Sequence, residues 1–260
     1  MELKISYPNF EQGKLRQINA LMDEWKSALT EEEQKLFVPD GFYPYYFSKK
    51  PRILFVAKES TGMRGLAYID TLFDCYRNEK YIGEKNINQY RFHTRMMYMA
   101  YGILNGDSTN EDFQNTPFAS EIGNNFATER GISFAFINIS KSSNQNGTYA
   151  DKRLIADSYN YGKEFIKREI EILEPDVIIS ANITDKISDI FGKPNVLERV
   201  GGGNGEECDV CAQTIKVNCK DILLLDCWHF SYIGGKNNGK KDFEHFYHPV
   251  CSLTKKYLTK

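Results

Sequence analysis

Short apolar runs that end abruptly at polar residues recur along the chain. Four of them are typical of buried strands, at residues 52–57, 132–137, 177–181 and 222–226. Between and after these runs, apolar residues repeat at helical spacing within 66–104, over about 151–173, from 182 to 191 and from about 243 onward. Strands that alternate with helices predict a mainly parallel sheet of four or five strands, covered on both faces in a three-layer αβα arrangement.

The residues before the first apolar run have a pattern of their own. Residues 11–28 predict one amphipathic helix, and Thr30 with Glu33 has the form of a capping box that starts a short second helix. We therefore expect residues 1–48 to form an N-terminal helical extension, packed on an α/β domain that spans 49–260.

The segment 196–219 differs from its surroundings. Its glycines at 201–205 and the alternation that follows predict a β-hairpin-like excursion. Cys208 and Cys211 have the spacing of half a zinc site, for which a third cysteine or a late histidine would supply the remaining ligands. One pair without a second is weak support for zinc, so we expect no metal and no other cofactor.

Composition is that of an ordinary globular protein, since 41% of the 260 residues are hydrophobic and 26% are charged. The formal net charge of −2 excludes an overall basic field, so any contact with nucleic acid must come from local patches. The apolar runs fall far short of the roughly 18 residues that a membrane span requires, and the N-terminus lacks the apolar core of a signal peptide. We expect a monomeric cytoplasmic protein without membrane contact, whose six cysteines stay reduced.

Chemically active side chains follow three of the predicted strands. Glu59 comes just after the first, Asn138 and Asn144 follow the second, and His229 and Ser231 follow the last. Because the carboxyl ends of parallel strands share one edge of a sheet, we predict that these residues line one cleft. Each also has an ordinary structural explanation, such as a solvated carboxylate, a turn asparagine or a packed histidine.

Short motifs around these residues resemble those of the uracil-DNA glycosylase superfamily. The motifs are Ala57-Lys58-Glu59-Ser60, Phe136-Ile137-Asn138 and His229-Phe230-Ser231. In that family one strand ends in a turn of the type Gly-Gln-Asp-Pro or Gly-Glu-Ala-Pro-Gly, a second ends in Asn, and a late one ends in His-Pro-Ser. Segment order agrees over about residues 50–258, although Ser60 and Phe230 stand where the family usually has proline. The N-terminal cysteine pair that helps to hold an iron–sulfur cluster in some branches is missing.

The resemblance implies a DNA glycosylase-like fold and a hydrolase that flips a deaminated base, uracil in the first place, and cleaves its N-glycosidic bond. Glu59 would stabilise the oxocarbenium-like sugar and orient a water molecule. His229 would donate a hydrogen bond to the carbonyl oxygen of the departing base. Asn138 would read the edge of the base, with Lys58 and Ser60 as further base-binding residues.

The same resemblance implies that DNA carrying uracil or a damaged base is the partner. In the family the residue four past the histidine wedges into the duplex, and here that residue is Ile233. Lys236, Lys141, Asn144 and Ser231 are the other expected DNA contacts. Two alternatives stay open: a catalytically silent protein that binds nucleic acid or nucleotide with the same fold, and an N-glycosidic hydrolase for a small molecule.

Overall fold

The apolar runs become strands, because β-branched and aromatic residues pack well on a pleated surface. The structure is a computed structural model and describes residues 5–106, 108–145, 151–201, 209–232 and 242–258. Its strands are β1 (Gly41–Phe42), β2 (Ile53–Thr61), β3 (Tyr81–Ile82), β4 (Lys85–Asn86), β5 (Ala135–Asn144), β6 (Val177–Ala181), β7 (Asn195–Val200), β8 (Val210–Val217) and β9 (Lys220–Cys227).

Seven of these strands form one mixed sheet in the order β1-β5-β2-β6-β9-β8-β7, and β3 pairs with β4 in a separate hairpin. The inner strands β5, β2, β6 and β9 are parallel, while β1 at one edge and β8 and β7 at the other are antiparallel to their neighbours. The α/β class is therefore confirmed, but the predicted number of four or five strands is too low. The hairpin predicted in 196–219 is present as the antiparallel pair β7–β8, and β8 also pairs with β9, so this hairpin extends the sheet. Most of the predicted glycine turn lies outside the described residues.

Helices flank both faces of this sheet. They are α1 (Gln12–Ser27), α2 (Glu31–Leu36), α3 (Tyr68–Asp74), α4 (Arg91–Asn105), α5 (Asn110–Gln114), α6 (Ala119–Ile122), α7 (Lys152–Leu173), α8 (Thr184–Phe191) and α9 (His248–Leu258). Helix α7 packs on β5 and β2 beside α1 and α8, whereas α4 packs on α9, which contacts β8 and β9. The arrangement is compatible with three αβα layers. In the ranges that the structure describes, none of the helices has the length and apolar character needed to cross a membrane.

The N-terminal segment forms the predicted helices and shares the core of the rest. Helix α1 buries Trp25, whose ring stacks on Phe165 of α7 at a centroid distance of 5.1 Å. The capping box is confirmed: the backbone N–H of Thr30 donates to the Glu33 carboxylate at 2.9 Å, and the N–H of Glu33 donates back to the Thr30 hydroxyl. Strand β1 lies in this segment and pairs with β5, so the predicted extension also supplies one edge of the sheet.

Strands β2 and β5 are longer than predicted, and this changes the setting of the candidate residues. Parallel pairing continues past the apolar runs, with Ala57 opposite Asn138 and Glu59 opposite Ser140, before the register becomes irregular near Asn144. Glu59, Asn138 and Asn144 therefore lie in strands, and the prediction that they lie in loops is wrong. Polar residues remain in strand conformation here because the backbone ladder satisfies their N–H and C=O groups.

Candidate active site

A cleft of about 270 Å³ opens at the carboxyl end of β2. It brings together Glu59 and His229, which are 170 positions apart in the numbering of the sequence, because β2 and β9 run parallel on either side of β6. Lys58, Ser60 and Ser231 line the same cleft. The other lining residues are Ala57, Thr61, Met63, Tyr68, Leu72, Ile82, Tyr90, Phe92, His93 and Phe136.

The Glu59 carboxylate is held at the cleft by two hydrogen bonds to one of its oxygens. Oε1 accepts from the side-chain amide of Asn144 at 3.0 Å and from the backbone N–H of Asp151 at 3.1 Å. Oε2 is buried and has no hydrogen-bond partner within the described residues. Burial raises the pKa of Glu59, and the two hydrogen bonds oppose that rise. The carboxylate is thus held through Oε1, while Oε2 keeps an acceptor position that no described residue uses.

His229 follows β9 and lines the cleft as a neutral imidazole. Burial, together with the positive charges of Lys58 and Arg95, lowers the pKa of His229 to about 4. The backbone N–H of Ser231 donates to Nδ1 of His229 at 3.3 Å. Because Nδ1 accepts this hydrogen bond, the single proton of the neutral ring lies on Nε2. His229 can therefore donate a hydrogen bond to a ligand oxygen without being charged.

Asn138 lies on the same face of β5 as Phe136, a lining residue of the cleft, and opposite Ala57, another lining residue. It is 1% exposed, and its backbone N–H donates to the Asp40 carboxylate at 2.7 Å. Neither the nitrogen nor the oxygen of its side-chain amide has a partner in the described part of the chain. An unpartnered buried amide is costly, so this side chain is suited to a ligand that supplies one acceptor and one donor.

Two other predicted base-binding residues also line the cleft. Lys58 is half-buried and contributes the positive charge that favours the neutral form of His229. Ser60 is 4% exposed, and its hydroxyl has no hydrogen-bond partner among the residues described. Among the described residues, Glu59 and Ser60 of the cleft lining each have a buried oxygen without a hydrogen-bond partner, and both polar side-chain atoms of Asn138 on the adjacent strand are likewise unpartnered.

The expected DNA contact of Lys141 is wrong. This side chain is 1% exposed, and its ammonium forms ion pairs with Asp40 and with Glu169, the latter at 2.8 Å. Its side chain points to α7, on the face of the sheet opposite Asn138, since adjacent positions of a strand alternate. The buried ion pairs offset the cost of removing its charge from water, and no part of the ammonium reaches the surface.

The remaining predicted DNA contacts differ in their exposure, and two of them are not described by the structure. Asn144 is 4% exposed and holds Glu59, so it is a positioning residue here and the expectation that it touches DNA does not fit its burial. Ser231 is exposed at the rim of the cleft. Ile233 and Lys236 lie outside the described residues, as does Cys208.

Aromatic rings form the walls of the cleft. Tyr68 stacks on Phe136 with ring centroids 4.4 Å apart and ring planes inclined by 7°. Phe92 lies between the two sides, with its ring 5.6 Å from that of His229 and 6.2 Å from that of Phe136. Walls of flat rings and a floor of polar groups suit a planar heterocycle.

The sequence pattern did not single out His93, although this residue lines the cleft. It lies in the first turn of α4 among apolar residues at helical spacing, which is typical of core contact. Its Nδ1 lies 2.6 Å from the Tyr76 hydroxyl, and burial lowers its pKa to about 3. A second neutral imidazole is thus present, and only the folded structure reveals it.

Arg95 was also missed, and it holds the loop that carries His229. Its guanidinium donates to the backbone carbonyls of Phe230 at 2.7 Å and Tyr232 at 2.9 Å. Two further bonds go to the Asp242 carboxylate at 2.8 and 2.6 Å, and the ring of Phe246 lies 4.2 Å away. A planar guanidinium can satisfy these partners together, which a lysine ammonium cannot.

A larger cavity of about 550 Å³ lies at the amino ends of β2 and β6, next to Pro51 and Asp176, and contains none of the predicted site residues. We place the candidate site at the smaller cleft because its polar groups converge there. Within the described ranges, no group of three or more His, Cys, Asp or Glu side chains is arranged to hold a metal ion.

No protein-family model matches the chain, and no curated protein sequence matches it. Residues of all three sequence motifs line the cleft, namely Ala57–Ser60, Phe136, and His229 with Ser231.

Proposed function

We propose that this protein is an N-glycosidic hydrolase that excises a deaminated base, uracil in the first place, from DNA, in the manner of the uracil-DNA glycosylase superfamily. One observation carries the proposal. A carboxylate with one available oxygen, Glu59, and a neutral histidine donor, His229, line the same small cleft. The unpartnered amide of Asn138 on the adjacent strand adds a group that can read the edge of a base.

Glu59 would act on the sugar. Breaking the bond between base and deoxyribose develops positive charge on the sugar ring, and a carboxylate nearby lowers the energy of that state. Asn144 and the N–H of Asp151 hold Oε1, so Oε2 is the oxygen that faces the sugar or accepts a proton from the attacking water. The ionised form is the active one.

His229 and Asn138 would act on the base. The leaving base carries negative charge on a carbonyl oxygen, and the Nε2–H of His229 would donate to it. A neutral imidazole is suited to this task because it stabilises the anion without giving up its proton. The Asn138 amide would accept from a ring N–H of the base and donate to a neighbouring carbonyl, which satisfies both of its buried polar atoms.

We infer that DNA is the partner, and the size of the cleft supports this inference. Its volume of about 270 Å³ suits one base rather than a base pair, so a duplex would have to present a flipped base. Ser231, which is exposed at the cleft, would contact the sugar-phosphate backbone of that nucleotide, and Lys58 would bind the base. With a net charge of −2, the protein depends on such local contacts for binding.

The test is incubation with oligonucleotides that contain uracil or hypoxanthine, single and double stranded, followed by alkaline cleavage of abasic sites. We expect cleavage with wild type. Glu59→Gln should lower the rate by roughly 10²–10⁴-fold, and His229→Ala should lower it by roughly 10²–10³-fold. Glu164→Gln on the exposed surface of α7 and His248→Ala at the start of α9 serve as matched controls and should keep full activity.

Three other outcomes contradict the proposal. No abasic product from wild type, with salt-dependent DNA binding, would identify a catalytically silent nucleic-acid-binding protein. Release of free base from nucleosides but not from DNA would identify a small-molecule hydrolase. Unchanged excision in both Glu59→Gln and His229→Ala would show that the chemistry takes place elsewhere.

A further inference from the structure

His93 is a titratable side chain of the cleft that the proposed mechanism leaves unused. It is 7% exposed and lines the cleft between Tyr90 and Phe136. Its Nδ1 lies within hydrogen-bond distance of the Tyr76 hydroxyl, at 2.6 Å. Nε2 is therefore the ring nitrogen that remains for a ligand.

The Tyr76 hydroxyl determines which nitrogen of His93 carries the proton. Burial lowers the pKa of His93 to about 3, so its ring is neutral and has one N–H. Because a buried hydroxyl proton needs an acceptor, Tyr76 donates to Nδ1 and the proton of His93 lies on Nε2. The reverse orientation would turn the Tyr76 proton toward the buried Tyr43 hydroxyl, its other side-chain hydrogen-bond neighbour, and would leave the Tyr43 proton without an acceptor within the described residues.

We propose that His93 is a specificity-determining residue of the cleft: its Nε2–H donates to a carbonyl oxygen on the edge of the bound base, and Tyr76 holds the imidazole in this donor-only state. This inference rests on the proposed function and names the chemical class of base that the cleft accepts. The base must present an acceptor oxygen at the edge that faces α4, in addition to the oxygen that His229 contacts.

Uracil and cytosine can test the donor role of His93, because the two bases have nearly the same shape. One ring carbonyl of uracil is replaced by an amino group in cytosine. In bound cytosine, the N–H groups of this amino group would point at the Nε2–H of His93. Neither donor then has an acceptor, and a buried donor that loses its acceptor weakens binding by roughly tenfold or more. The tautomer of His93 would thus contribute to rejection of the normal base.

The first experiment measures the tautomer directly in the intact protein. Nitrogen NMR of the imidazole rings distinguishes Nε2–H from Nδ1–H, and the signals lost in His93→Gln assign those of His93. We expect the Nε2–H form in the free protein and a shift of that N–H when free uracil is added, with no such shift for free cytosine. This readout does not depend on catalysis.

The second experiment changes the tautomer without removing the imidazole. Tyr76→Phe keeps the ring and removes the hydroxyl, so Nδ1 of His93 loses its donor and the proton can occupy either nitrogen. We expect the preference for uracil over cytosine, measured as the ratio of dissociation constants of the free bases, to fall by roughly tenfold. Tyr81→Phe in the exposed strand β3 is the matched control and should leave the ratio unchanged.

The outcomes separate this inference from the proposed function. An Nδ1–H tautomer in the free protein, equal binding of the two bases by wild type, or an unchanged ratio in folded Tyr76→Phe would overturn the role of His93 while uracil excision persisted. If Tyr76→Phe fails to fold, the tautomer and the uracil-induced shift decide the matter. Binding of neither base, together with no excision, would overturn the proposed function and this inference with it.

Discussion

Burial shifts the pKa values of two cleft side chains in opposite directions. The proposed reaction nevertheless requires both side chains in their deprotonated form. Burial raises the pKa of Glu59, which as an acid resists ionisation in the cleft. Burial and the neighbouring cations lower the pKa of His229 to about 4, so the imidazole stays neutral through the physiological range. The proposed mechanism therefore requires an ionised carboxylate together with a neutral imidazole, and acid would disrupt both.

This pairing predicts a one-sided pH profile for the excision activity. The rate should rise with pH as Glu59 loses its proton, with a midpoint above the ordinary carboxylate value, and then stay level to neutral pH. The His229 titration lies near pH 4 and adds no limb at neutral pH. The check is kcat/KM against pH for wild type and for Lys58→Met. Loss of that cation should move the acid limb to higher pH, because Lys58 lowers the pKa of both groups.

Lys35→Met, which removes an exposed cation on α2, provides the comparison and should leave the profile in place. A limb centred near pH 6.5, the ordinary value of histidine, would contradict the assigned protonation of His229.

At the scale of elements, the loop after β9 depends on a residue from α4. Arg95 is 4% exposed and joins the carbonyls of Phe230 and Tyr232 to the carboxylate of Asp242. On the other side of the loop, the indole N–H of Trp228 donates to Asp209 at 3.1 Å. In sequence, His229 lies between the loop residues that Arg95 and Asp209 hold. These contacts fix the position of His229 in the cleft.

Arg95→Lys should therefore lower excision while leaving the protein folded. Lysine keeps the charge but cannot bond two carbonyls and a carboxylate at once, so His229 would shift within the cleft. A shift of about 1 Å can cost roughly a hundredfold in rate, and we expect a loss of ten- to a hundredfold in kcat/KM. Steady-state kinetics and thermal unfolding of the same sample are the measurements.

Arg168→Lys is the control, because Arg168 makes a comparable two-bond contact with Glu24 on the exposed surface, far from the cleft. Full activity in Arg95→Lys would show that the loop holds His229 without the guanidinium.

The pattern of apolar and polar residues predicted the positions of the strands and helices better than it predicted which strands pair. Periodicity located the inner strands and α7 because burial on one face repeats along a single segment. The sequence periodicity predicted that β2 ends at Ala57, but pairing with β5 extends the strand to Thr61. It also missed that β8 joins the main sheet, because the partner strand is chosen by the fold and not by the residues of β8 alone.

The candidate site shows the same division. Glu59 and His229 were predicted to share a cleft because each follows an apolar run, and both line it. Lys141 has the same sequence context, but its ammonium is neutralised by Asp40 and Glu169 from distant segments. Arg95 contacts a carboxylate 147 residues away. Contacts of this kind arise only when the chain has folded, so composition and spacing do not reveal them.

At the scale of the whole molecule, a buried charge cluster joins the N-terminal segment to the sheet and to α7. Lys141 on β5 lies between Asp40, which precedes β1, and Glu169 on α7, and its ammonium is 5.4 Å from the ring centroid of Trp25 on α1. Two carboxylates face one cation, so one negative charge is in excess. Burial and the nearby Asp40 raise the pKa of Glu169, and the ammonium of Lys141 opposes this only in part.

The cluster makes the stability of the fold depend on pH in a defined direction. Because the pKa of Glu169 is higher in the folded chain than in the unfolded one, the folded state holds a proton that the unfolded state releases above about pH 4.3. The free energy of unfolding should therefore fall as pH rises from about 5 to 8. In Glu169→Gln the amide cannot ionise, so this decline should be reduced and the variant should be at least as stable as wild type at pH 8.

Lys141→Met is the opposite case. It leaves two buried carboxylates without a cation, and we expect a loss of about 3–5 kcal/mol in the free energy of unfolding. Lys167→Met, on the half-buried outer side of α7, is the control and should change stability by less than about 0.5 kcal/mol. Urea unfolding of the variants and wild type at pH 5 and 8 is the measurement. A free energy of wild type that rises over this range, or a Glu169→Gln variant that loses stability at pH 8, would mean that Glu169 is ionised in the folded core.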